Sequence, residues 1–139
     1  MRKTLKERKL TAANKVQFCA QRLMEKKAQD LVILDVRSIS SFTDFFIICS
    51  GDSRRQVVAL AQHLEEVLGR QGEKPLGIEG RDEGQWVLLD YNDVVVHIFS
   101  QPMREFYDLE NLWADAPRQP LEPDSPLTSE AQSVKEVRA

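Results

Sequence analysis

The stretch GQWVLLDYNDVVVHIFS, residues 84–100, restricts the fold more than any other part of this 139-residue chain. Two runs rich in aliphatic and β-branched residues flank Asp90-Tyr91-Asn92-Asp93, and asparagine tolerates the positive φ that a tight hairpin turn needs. A hairpin makes its two strands antiparallel neighbours, and successive side chains then alternate between the two faces of the sheet. Val87, Leu89, Val94, Val96 and Ile98 fall on one face, which is wholly aliphatic and must be core. The opposite face carries Trp86, Leu88, Asp90, Val95, His97 and Phe99. Aromatic rings interleaved with a carboxylate and an imidazole suit a protein-binding surface, because such rings supply contact area with little loss of side-chain entropy. The alternative is a second core face under a helix, since sheets in α/β domains are often covered on both sides.

The remaining segments can be placed around that hairpin. From Thr11 to Ala28 the apolar residues Val16, Cys19, Ala20 and Leu23 share a helical face, with Lys15, Arg22 and Lys26 turned away from it. The runs 30–36 and 44–50 are short, apolar and rich in β-branched and aromatic residues, as buried strands are, and a polar return joins them. Ser53 followed by Gln56 forms a capping-box signature ahead of Val57, Leu60, Ala61, Leu64 and Leu68. That helix should stop near Gly69 or Gly72, and LGIE at 76–79 reads as an edge strand. Ser100 can cap a third helix with Pro102 in its first turn and Met103, Phe106, Leu109 or Glu110, and Trp113 in register. Beyond Ala116, prolines at 117, 120, 123 and 126 predict an extended or disordered tail. The expected organisation is a basic N-terminal segment (1–11), one domain (12–116) and a Pro-rich tail (117–139). The fold class is α/β (α+β), a single domain with a mixed β-sheet flanked by helices.

Charge narrows the partners. Residues 31–116 hold seven Lys/Arg against fifteen Asp/Glu, so the central domain is acidic, whereas residues 1–30 hold nine against three. Excess carboxylate repels a phosphate backbone, which disfavours a direct, sequence-specific grip on nucleic acid. Two cysteines, Cys19 and Cys49, sit in apolar patterns and read as free thiols of a reducing compartment. No long apolar run predicts a membrane span, and the basic start leads into no signal-peptide core, so a cytoplasmic location is expected.

Three kinds of chemistry can be weighed against the residues. The turn CSGDS ends a strand at a helix start, where backbone N–H groups can hold phosphate, but it lacks the second glycine and Lys-Ser/Thr of a P-loop and the spacing of a dinucleotide fingerprint. The same strand-Gly-x-Ser-helix element resembles the start of nucleotidyltransferase domains, yet the paired strand carboxylates that bind their metals have no counterpart here. His97 could meet a nucleophile only at Cys49, and two histidines 34 residues apart do not make a zinc site. No catalytic residue, metal or cofactor is therefore expected, and His97 is assigned to structure or to an interface.

Taken together, SSFTDFFIICSGDSRRQV, GQWVLLDYNDVVVHIFS and REFYDLENLWADA resemble the ribosomal silencing factors of the Iojap family over roughly residues 12–116. The resemblance implies a nucleotidyltransferase-like mixed sheet without catalytic carboxylates, and a protein that is not an enzyme. It implies binding to the large ribosomal subunit through that subunit's protein number fourteen, a block on small-subunit joining, repression of translation when nutrients are short, and a homodimer when free. Positions matching the family's motifs are Thr43, Asp44, Gly51, Ser53, Trp86, Asp90, His97, Arg104, Tyr107 and Trp113. Of these, Trp86, Asp90, His97 and Tyr107 are assigned to the partner-binding surface, with Arg104 pairing a carboxylate or a carbonyl. Thr43, Asp44, Gly51, Ser53 and Trp113 are assigned structural roles. Asn92 stands where the family usually has glycine, a change that the turn tolerates. The two alternatives are a nucleotidyl- or phosphoryl-transfer enzyme and a plain dimerisation module.

Overall fold

Six strands and four helices succeed one another along residues 10–123, the part of the chain that the computed structural model describes. Helix α1 (Ala12–Glu25) leads into strand β1 (Gln29–Asp35), which returns antiparallel as β2 (Phe45–Gly51). Helix α2 (Arg54–Arg70) crosses over to β3 (Gly77–Glu79) and β4 (Trp86–Asp90). Strand β5 (Val94–Ser100) completes the hairpin at a turn where Asn92 has φ 76°. Helices α3 (Gln101–Tyr107) and α4 (Leu109–Leu112) follow, then strand β6 (Arg118–Gln119). The sheet order is β3-β4-β5-β2-β1-β6, with β2 and β5 parallel and every other pair antiparallel. The two parallel strands lie at the centre, where both faces are covered, and their near-continuous apolar sequences reflect that burial.

The two faces are closed differently. Against one, α1 and α2 set Val16, Cys19, Leu23, Leu60, Leu64 and Leu68 on Ile47, Cys49, Val87, Leu89, Val96 and Ile98. This is the aliphatic face of the hairpin. The other is a smaller cluster of Leu34, Val36, Phe46, Ile48, Val95, Phe99 and Ala116, onto which Trp86, Leu88, Met103, Leu109 and Trp113 pack in part.

The first two helices are capped by side chains, whereas Ser100, expected to cap the third, stands at the N-cap of α3 without a side-chain capping hydrogen bond. Thr11 caps α1 by accepting from the Asn14 N–H, and Ser53 caps α2 by accepting from the Gln56 N–H at 3.1 Å. The Gln56 side chain returns to the Asp52 N–H at 2.5 Å, one residue upstream of the usual capping-box partner. Gly72, at φ 81°, lies just past the α2 cap.

Three expectations are corrected. Lys15 does not turn away from the core: it is buried, with its ammonium 2.7 Å from Asp93 and 3.1 Å from Glu73. Burial alone would lower its pKa, but hydrogen bonds and charge from the two carboxylates outweigh that and raise it. The third helix is not continuous to Trp113, because Asp108 adopts a left-handed conformation (φ 47°) that divides α3 from α4 and leaves Phe106 74% exposed instead of in the apolar register. Residues 118 and 119, placed in the Pro-rich tail, instead join the sheet as a short strand. Gln119 and Arg118 of β6 pair with Ile33 and Leu34 of β1, and the Asp35 N–H donates to the Pro117 carbonyl. The Gln17 side-chain amide, buried on α1, donates to the Pro120 carbonyl at 3.0 Å and accepts from the Glu122 N–H at 2.9 Å. Most of the basic N-terminal segment (1–9) and most of the Pro-rich tail (124–139) lie outside the described residues.

Candidate aromatic recognition face

The hairpin register sets Trp86 opposite Phe99 and Leu88 opposite His97, so the aromatic groups of the second face come from adjacent strands. Trp86 stacks on Phe99 with centroids 4.9 Å apart and lies 4.6 Å from the ring of Tyr107, which α3 brings over the sheet. Its indole N–H donates to His97 Nδ1 at 3.1 Å. Phe46, on β2, meets His97 edge-on at 5.2 Å and Trp113 edge-on at 4.9 Å. The result is a ring cluster running from a closed interior at Phe99 and His97 to an open rim at Tyr107, which is 47% exposed.

Helix α3 is held over this cluster by Arg104. Its guanidinium forms a two-pronged pair with Glu110 of α4, at 3.0 and 3.1 Å, donates to Ser50 Oγ at 3.0 Å, and reaches the Gln29 carbonyl at 3.4 Å. Arg104 thus meets both a carboxylate and a carbonyl of its own chain. The bridge spans the left-handed turn at Asp108 and fixes α4 relative to α3. Asp90 lies at the far end of the hairpin, where its carboxylate accepts from the Asn92 N–H at 2.8 Å and stabilises the turn.

Among the residues assigned to the partner surface, Trp86 and Tyr107 are brought together, Asp90 lies apart from them at the turn, and His97 (5% exposed) and Arg104 (8% exposed) are buried. Burial of His97 pushes its pKa down to about 4, so the imidazole is neutral at physiological pH. The sequence reading missed Phe106 and Leu112, 74% and 76% exposed on α3 and α4, together with the anchoring carboxylate Glu110. For Leu112 the available signal was an apolar residue off the Met103–Trp113 helical register; for Phe106 there was none without the break at Asp108.

The structural assignments can be traced to particular contacts. Thr43 is buried, and its N–H donates to Ser40 Oγ at 3.3 Å within the β1–β2 return. The Asp44 carbonyl accepts from the Val36 N–H, and its own N–H donates to the Asp93 carbonyl, tying that return to the hairpin turn. At Gly51 a Cβ would stand 3.0 Å from both the backbone nitrogen and Cγ2 of Val57, so glycine permits the close passage from β2 into α2. Trp113 covers Phe46 from the end of α4.

Cys49 and His97 lie on opposite faces of the sheet. Cys49 packs into the helix-covered core, whereas His97 points to the opposite face, so the two cannot form a nucleophile pair. Burial pushes the Cys49 thiol up to about 12, leaving it protonated. Among the described residues no three His, Cys, Asp or Glu side chains gather as a metal-ligating group, and no helix is long and apolar enough to cross a membrane.

Comparison with known proteins is decisive on kinship. The family model described as ribosomal silencing factor during starvation matches residues 9–139. The ribosomal silencing factor RsfS of Halalkalibacterium halodurans is 43% identical over 107 residues, which cover 77% of this chain and 92% of that protein. The chloroplastic protein Iojap of Zea mays is 36% identical over 97 residues, covering 70% of this chain and 42% of that longer protein. A crystal structure of a protein from Chromobacterium violaceum superposes with a TM-score of 0.74 at 32% identity, covering 84% of this chain and 97% of that one. With its mixed sheet, its helix-covered core and these relatives, the chain belongs to the ribosomal silencing factors of the Iojap family, a family of regulators and not of enzymes.

Proposed function

We propose that this protein binds the large ribosomal subunit through that subunit's protein number fourteen, blocks joining of the small subunit, and so represses translation in the cytoplasm when nutrients are short. The observation that carries this reading is the incompletely covered aromatic face. Two short helices leave Phe106, Tyr107 and Leu112 exposed, with Tyr107 against the half-buried Trp86, and the exposed acidic residues Glu105, Asp108 and Asp115 share the same segment. Apolar anchors supply affinity, and surrounding carboxylates speed encounter with a basic protein partner. The family names of the relatives point the same way. When no ribosome is present, the same apolar group can be shielded by a second copy, and we infer a homodimer for the free protein.

The test is sedimentation of purified large subunits with the protein, followed by addition of small subunits. Wild type should travel with the large subunit and reduce joining. Trp86→Ala should weaken binding by about 2 kcal/mol, on the order of thirtyfold, as loss of a central aromatic anchor does. A wild-type protein that stays at the top of the gradient would refute the reading.

A further inference from the structure

We propose that His97 is the positioning residue of the recognition face: by accepting the indole N–H of Trp86 at its Nδ1, it fixes which edge of that ring is offered to the partner. The inference rests on the ribosome-binding reading above and assigns a role to a buried group that does not itself line the surface.

The geometry supplies the reason. Trp86 is half-buried, stacks on Phe99 and meets the ring of Tyr107 at a tilt of 48°. Stacking sets the plane of a ring but not its rotation within that plane, and aromatic χ2 angles have broad wells. The 3.1 Å bond to His97 removes that freedom by committing the only polar atom of the indole to the interior. The carbocyclic edge is then left for the rim, where an apolar contact has most to gain.

For the stability of the fold an apolar residue would serve better at this position. His97 is 5% exposed, and its Nε2 is buried with no hydrogen-bond partner. An imidazole that accepts at Nδ1 and stays neutral must carry its proton on Nε2, so an N–H donor is buried unpaired. The surrounding rings of Phe46, Phe99 and Trp86 offer shape and no compensating charge. What histidine supplies and leucine cannot is the acceptor for Trp86. Stability and recognition therefore make opposite demands on this residue, and they can be separated.

Two near-isosteric variants of the full chain make the separation. His97→Leu keeps the branching at Cγ without an acceptor; His97→Asn places Oδ1 where Nδ1 stood but buries a polar amide. For each, three quantities are measured: the thermal midpoint, the Trp86 indole N–H resonance by 1H–15N spectroscopy with assignment by Trp86→Phe, and the affinity for purified large ribosomal subunits. His97→Leu should melt at or above the wild-type temperature, shift the indole resonance and speed its solvent exchange, and bind about tenfold more weakly. His97→Asn should melt lower yet keep the indole bond, with affinity within about twofold of wild type. Wild-type affinity in His97→Leu overturns the proposal. So does a leucine variant that loses binding only in step with a lowered melting temperature, or one that fails to fold, because either makes the residue merely structural. Failure of the wild type itself to bind large subunits takes down the ribosome reading first, and the proposal with it.

Discussion

The two faces of one sheet show how differently a single set of strands can be used. On the first, helices of 14 and 17 residues bury a mostly aliphatic layer, beside which the buried Lys15 pairs with Asp93 and Glu73. On the second, helices of 7 and 4 residues cover an aromatic layer only in part, and an arginine bridge joins them beside the packing of Met103, Leu109 and Trp113. A face that is closed by long helices sets the stability of the molecule. A face that is closed by short ones retains rings at its rim and keeps them oriented through polar contacts beneath.

That contrast can be broken most forcefully on the first face. Leu64 is fully buried between α2 and the sheet, and Leu64→Ala should cost about 3 kcal/mol in chemical denaturation through lost burial and the cavity left behind. Protein that remains folded should bind large subunits as before. The second face should instead dominate the response to acid. The folded-state pKa of His97, about 4, lies below its unfolded value of about 6.5, so the unfolded chain takes up the proton first. Its contribution is complete above pH 6.5 and is lost as the pH falls toward 4, by roughly 2–3 kcal/mol, and His97→Leu should remove that part of the pH dependence in denaturant titrations. His63, whose pKa is lowered by burial and by Lys26, acts in the same direction and remains in the variant as an internal reference. Smallest is the loss of the arginine bridge. Arg104→Met should cost about 2 kcal/mol, discounted because Glu110 is partly solvated, and amide exchange should rise in α3 and α4 while α1 and α2 keep their protection. A uniform rise across both faces would mean that the two are not separable.

Much of this arrangement was legible in the residues. The hairpin, the strand faces and the Ser53 cap follow from local periodicity and turn chemistry, which act within a few residues, whereas the parallel pairing of β2 with β5 joins segments far apart in sequence. The placement of Trp86 and His97 on one face was available from alternation alone. What alternation could not disclose is how much of that face is covered, and so it could not tell that His97 and Arg104 lie beneath the surface while Phe106 and Leu112 lie on it. Lys15 illustrates the same limit. Helical periodicity turns it away from the apolar stripe, but its burial depends on Glu73 and Asp93, which belong to a loop and a turn distant in sequence. The strand beyond Ala116 likewise depends on partners distant in sequence, the backbone of β1 with Gln17 behind it.

The last strand also gives the sheet a boundary. An uncovered β1 would present a row of N–H and C=O groups on which another chain could add. The segment that covers it reads Pro-Arg-Gln-Pro-Leu-Glu-Pro from 117 to 123, and the carbonyls of Pro117 and Pro120 are already engaged by Asp35 and Gln17. Proline has no N–H to donate outward. Residues 117–123 thus add to the sheet only a two-residue strand flanked by Pro117 and Pro120, which is a poor template for a further strand.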